Sequence, residues 1–160
     1  MKRRLLFLLV ASLLTFVSCS KPPAAALAAA PAAKHGHQAP HGGTPVVLGQ
    51  EAYHLELVRD ATAGQLTAYV LDGEMENFVR VKTASFEVVA RIGAEKRVLT
   101  FRATANSATG EKLGDTSCFE VQADWLKTEK NFDATLTSLE IKGTAFTAVA
   151  FNFPKGNDKD

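Results

Sequence analysis

Tyr53-His54-Leu55-Glu56-Leu57-Val58 and Gln65-Leu66-Thr67-Ala68-Tyr69-Val70-Leu71 flank a turn-forming stretch at residues 60–64. Alternation with a period of two sends successive side chains to opposite faces of a strand. Tyr53, Leu55 and Leu57 then share a core-facing side, and His54 points outward with Glu56. The same pattern recurs in Phe78-Val79-Arg80-Val81, Ser85-Phe86-Glu87-Val88-Val89-Ala90, Arg97-Val98-Leu99-Thr100-Phe101-Arg102 and Ser117-Cys118-Phe119-Glu120-Val121. Two longer runs, residues 132–141 and 144–153, follow. Asp72-Gly73, Ile92-Gly93, Thr109-Gly110 and Lys142-Gly143 supply turns between them. Regularly spaced strands rich in Val, Thr and Phe predict an all-β fold, an antiparallel β-sandwich of immunoglobulin-like or similar type, over residues 46–154. Asp124-Trp125-Leu126-Lys127 breaks the alternation and predicts one short helical turn with Asp124 as its N-cap. Residues 155–160 are polar and predict a disordered tail.

The chain ahead of this domain has a different composition. Lys2-Arg3-Arg4 precede a thirteen-residue apolar run, residues 5–17, broken only by Ser12 and Thr15. As a helix that run rises about 20 Å, short of a hydrocarbon core of ~30 Å, so residues 1–18 read as a secretory signal rather than a membrane span. Phe16-Val17-Ser18-Cys19 looks like a bacterial lipobox, which predicts acylation of Cys19 and anchoring to a membrane. Ser20 and Lys21 after the cysteine point to an outer membrane, facing the periplasm. Residues 19–45 hold five of the six prolines and nine alanines, and scarcely any large apolar side chain. Such a stretch buries too little surface to offset the entropy of ordering it, which predicts a flexible tether.

Three of the four histidines fall inside that tether, in His35-Gly36-His37-Gln38-Ala39-Pro40-His41-Gly42-Gly43. Neutral imidazole is a ligand for copper, zinc or nickel, and the glycines let His41 fold back toward His35 and His37. His35, His37 and His41 are therefore candidate ligands for a transition metal ion, copper or zinc first. A low-complexity linker with idle histidines gives the same composition. His54 joins the set only if the Gly42-Gly43 turn brings the cluster back to its strand. Met75, in the acidic tip Asp72-Gly73-Glu74-Met75-Glu76-Asn77, is the one thioether on offer to a softer ion, although solvated turn residues explain that tip equally.

Other chemistries are excluded more directly. Lys2, Arg3 and Arg4 account for three of the 18 basic residues, and without them the 17 acidic residues are in the majority. No basic patch is left to hold nucleic-acid phosphates. There is no Gly-rich phosphate loop, no HExxH and no nucleophile signature at a strand end, so no enzymatic activity is expected. With Cys19 acylated, Cys118 stands alone and reads as a small buried hydrophobe.

Pro40-His41-Gly42-Gly43, Leu48-Gly49, His54-Leu55-Glu56-Leu57-Val58 and Gly64-Gln65-Leu66-Thr67-Ala68-Tyr69-Val70-Leu71-Asp72 together resemble small bacterial periplasmic proteins and lipoproteins. In these a His-Gly-Gly segment precedes a strand pair, and similar segments occur in or beside the periplasmic adaptors of heavy-metal efflux systems. The resemblance covers residues 40–82, with Asp124-Trp125-Leu126 and Ile141-Lys142-Gly143 a weaker continuation. It implies a β-sandwich, a link to metal handling and an efflux adaptor or other envelope protein as partner. The competing expectation is a non-catalytic structural or protein-interaction lipoprotein of the envelope with no metal role.

Overall fold

The computed structural model describes residues 38–158. The expected signal sequence, the expected acylation site Cys19, most of the expected tether with His35 and His37, and the last two residues lie outside the described residues. The antiparallel all-β architecture expected from the sequence is what the structure holds. Eight strands follow one another: β1 (Thr44–Leu48), β2 (Tyr53–Asp60), β3 (Gln65–Asp72), β4 (Ser85–Ile92), β5 (Glu95–Ala103), β6 (Cys118–Gln122), β7 (Phe132–Ile141) and β8 (Thr144–Phe153). All are hydrogen-bonded into one sheet of order β1-β2-β3-β6-β5-β4-β7-β8, every pairing antiparallel. The sheet curls until its two outer strands approach one another, and is nearly closed. Among the described residues no helix is long and apolar enough to cross a membrane.

One face of the curled sheet makes the core. Leu55 and Leu57 on β2, Leu66, Ala68 and Val70 on β3, and Phe119 on β6 are all buried, as the alternation requires. Phe86 stacks on Phe101 at 5.0 Å and meets Phe119 edge-on at 5.1 Å, joining β4, β5 and β6. Offset and edge-on ring pairs add to the burial of these large side chains. The helical turn is present as a 3-10 segment, Asp124–Lys127, with Leu126 in the core. Its N-cap is Ala123, with no side-chain cap; Asp124 lies one residue later and pairs with Lys127 at 2.9 Å. Residues 78–81 do not form a strand. They make only isolated bridges, Leu71 with Phe78 and Val81 with Thr116.

Both ends assigned outside the domain are drawn into it. β1 begins at Thr44, and Gly42 donates to the Ala39 carbonyl in a turn just before it. At the other end Gly156 and Asn152 exchange backbone hydrogen bonds. The Asn157 side chain then clamps β1, its Oδ1 accepting from Val47 N at 2.7 Å and its Nδ2 donating to Val47 O at 3.1 Å. One amide thus replaces the missing neighbour of an outer strand. Asn157→Ala leaves both Val47 groups without these partners. The expected loss is about 1–3 kcal/mol, read as a lower urea midpoint at unchanged slope.

Candidate functional site

On the side of β2 and β3 away from the core, the register lines residues up in lateral rows. Glu56 faces Tyr69, and Tyr69 faces Cys118 on β6. Directly paired residues of an antiparallel sheet project to the same side, so these three form one row. Its neighbour is His54 opposite Leu71, with Phe78 bridged beyond.

The expectation that His54 and Glu56 point outward is right about the side and wrong about the solvent. His54 is 1% exposed and Glu56 0%. Glu56 is covered by a segment with no periodicity. His54 Nδ1 lies 3.3 Å from the carbonyl oxygen of Asp72, the last residue of β3 before its turn. That turn packs so closely on residues 51–52 that a Cβ on Gly73 would collide with the Glu51 carbonyl oxygen. Met75 is 2% exposed and belongs to the interior, not to an open ligand-bearing tip. Asp72 accepts from the Glu76 and Asn77 amides and from Asn77 Nδ2. Slight burial pushes against ionisation, but these bonds, with His54 nearby, hold its carboxyl below the usual range.

Over Glu56 lies the His-Gly-Gly segment. Glu56 Oε1 accepts from the backbone amides of His41 at 2.7 Å and Gly43 at 2.9 Å, while Oε2 lies 2.8 Å from His41 Nδ1. Gly43 is required by space: a Cβ there would fall 2.7 Å from Leu57 O and 2.8 Å from Glu56 Cγ. The imidazole lies on the Tyr69 ring, 4.1 Å between centroids at 17°, with Phe78 tilted against it at 5.8 Å. A carboxylate only accepts, so Nδ1 carries a proton, and in the neutral ring the lone pair is then on Nε2. The His41 side chain is 38% exposed.

His41, Tyr69 and Phe78 are among the residues that line an open cleft of about 940 Å³. Its polar groups are largely spent on each other. Glu111 accepts from Ser117 N at 2.9 Å, Ser117 Oγ at 2.6 Å and Thr109 Oγ1 at 2.9 Å, and Arg80 lies 3.8 Å away. Burial alone would raise its pKa; those hydrogen bonds and the guanidinium outweigh it and hold the carboxyl low. Arg80 is committed in turn to the Thr109 carbonyl and Asp115. Burial, with Glu120 and Glu111 adding, pushes the Cys118 thiol up, although its bond with Thr104 works the other way. A protonated, half-buried thiol is a poor nucleophile. Tyr69 is likewise raised, by burial and then by Cys118, Glu120 and Glu56.

Of the four histidines singled out, the structure therefore fixes His41 in the cleft lining and His54, buried, beside the Asp72 carbonyl. Among the described residues no three His, Cys, Asp or Glu side chains converge as a metal site. Glu56, Tyr69 and Phe78 went unassigned in the sequence.

No protein family, curated protein or solved structure matches this chain.

Proposed function

We propose that the protein is a lipid-anchored periplasmic protein that binds a transition metal ion, copper or zinc, with His41 as the ligand built into the folded domain. One observation carries the reading: the hydrogen bond between Glu56 and His41 Nδ1. Metal-binding histidines are characteristically held this way, the second nitrogen bonded to a carboxylate that fixes the tautomer and raises ligand basicity. Here the carboxylate is wholly buried and itself fixed by two amides.

One imidazole does not make a transition-metal site, and His35 and His37 are the remaining donors. Four residues of chain reach at most about 14 Å and six about 21 Å, so both lie within reach of a cation held at His41 Nε2. Ions suited to an all-imidazole set are Cu(II), Zn(II) and Ni(II). Anchoring through Cys19 and service to an efflux adaptor belong to the same proposal, supported by the lipobox and by the resemblance of residues 40–82.

Titration of the chain from Ser20 onward with Cu(II) and Zn(II) tests the reading. The expected result is binding at micromolar concentration or tighter, weakened about tenfold or more in His41→Ala and abolished in the His35/His37/His41→Ala triple variant. Acid should weaken binding, since protonated imidazole has no lone pair to give. Unaltered affinity in the triple variant, with native circular dichroism, would remove the metal role.

A further inference from the structure

The outer edge of β1 is occupied by the end of the chain. Val47 turns its backbone groups away from β2, since both are bonded to the Asn157 side chain. Alternate residues of a strand share that orientation, so Pro45 turns its carbonyl the same way, and as a proline it has no N–H to leave open. Gly156 lies so close to that carbonyl that a Cβ would collide with its oxygen. Thr44 Oγ1 adds a bond to the Pro154 carbonyl at 3.2 Å. The tail is itself tied to the end of β8 by the paired backbone bonds of Gly156 and Asn152.

The two β1 residues gripped in this way stand beside the buried polar pair of β2. Pro45 is opposite Glu56, and Val47 is opposite His54. Just before β1 comes Gly43, whose amide donates to Glu56 Oε1, and the His41 amide and ring meet the same carboxylate. Only residues 44–46 separate the Glu56 anchor from the Asn157 anchor. At about 3.3 Å of rise per residue the two lie within one short run of extended chain. A strand of five residues is a small cooperative unit, so loosening either anchor makes it easier to open the whole of it.

We propose that the C-terminal tail, through Gly156 and Asn157, is a positioning element for His41. By holding β1 in place it keeps the His-Gly-Gly segment seated on Glu56 and the imidazole on the Tyr69 ring. Its bearing on a bound ion rests on the metal reading above. The coupling between the two ends of the domain does not, and it is measured on the metal-free protein.

Hydrogen exchange of the metal-free full chain is the test. The His41 and Gly43 amides report the Glu56 anchor, and the Val47 amide reports the Asn157 anchor. Val70, whose amide donates to Ser117 O at 2.8 Å, stands for the rest of the sheet. In Asn157→Ala, exchange at His41 and Gly43 should quicken about tenfold more than at Val70. Gly156→Ala leaves the Asn157 side chain intact but drives a Cβ at the Pro45 carbonyl, and should give the same order. Quickening confined to Val47 would make the two anchors independent and overturn the proposal. Equal quickening at Gly43 and Val70 would overturn it too, since the tail would then add only to global stability. A chain that takes up no copper or zinc yet shows the expected order loses the metal reading and keeps the positioning role.

Discussion

Glu56→Ala is expected to destabilise the domain by about 2–4 kcal/mol and Glu56→Gln by far less, while both weaken metal binding. Truncation leaves the His41 and Gly43 amides without their acceptor and empties a site that is 0% exposed. An unsatisfied buried amide costs about 1–3 kcal/mol, and bonds to a charged acceptor lie at the upper end. Glutamine keeps a carbonyl oxygen for both amides. At the second position it presents an N–H to His41 Nδ1 where the carboxylate accepted at 2.8 Å. The imidazole then takes the opposite tautomer, its proton moves to Nε2, and the lone pair needed by a cation is lost. Denaturant midpoints separate the two variants. Imidazole nitrogen shifts in the NMR spectrum read the tautomer directly. A glutamine variant that keeps the Nδ1-protonated form and full affinity would sever the link between Glu56 and the metal.

Why Glu56 escaped the sequence reading follows from what alternation encodes. Period two assigns Leu55 and Leu57 to one side and His54 and Glu56 to the other, and the structure keeps that partition. It does not encode whether the second side meets water. The cover over Glu56 comes from residues 41–43, which lack periodicity and whose composition reads as tether. Their ordering depends on a single long-range acceptor fifteen residues from His41. Asn157 escaped for the same reason: a polar side chain in a polar terminal stretch gives no local sign that it meets Val47 N, 110 residues away. The strands were legible because each carries its own apolar face. Phe78-Val79-Arg80-Val81 has the same alternation, yet bridges Leu71 and Thr116 at single points. Strand-like local sequence yields a strand only where a neighbour runs alongside. Neighbour order, β3 beside β6 above all, is a long-range property that no window of sequence contains.

Phe119→Ala should cost more than any surface change in this domain, about 3–5 kcal/mol, the range for deleting a buried aromatic ring. Phe119 is 0% exposed, touches Phe86 edge-on, and through it the Phe101 stack. It also occupies a special place in the ladder, since its backbone is opposite Ala103 in the two-residue pairing that holds β6 to β5. Removing the ring takes packing from the junction where the sheet has the fewest cross-strand bonds, so the loss should be local before it is global. In hydrogen exchange of Phe119→Ala, the Thr104 amide, which donates to Cys118 O at 3.0 Å, should lose protection under conditions where β7 and β8 retain theirs. The β7–β8 hairpin, paired over nearly its whole length, is the internal reference. Uniform loss of protection across all eight strands would mean that the β5–β6 junction opens only with the whole domain. Early opening at Thr104 alone would show that the two halves of the sheet are held together chiefly by the phenylalanine cluster behind it.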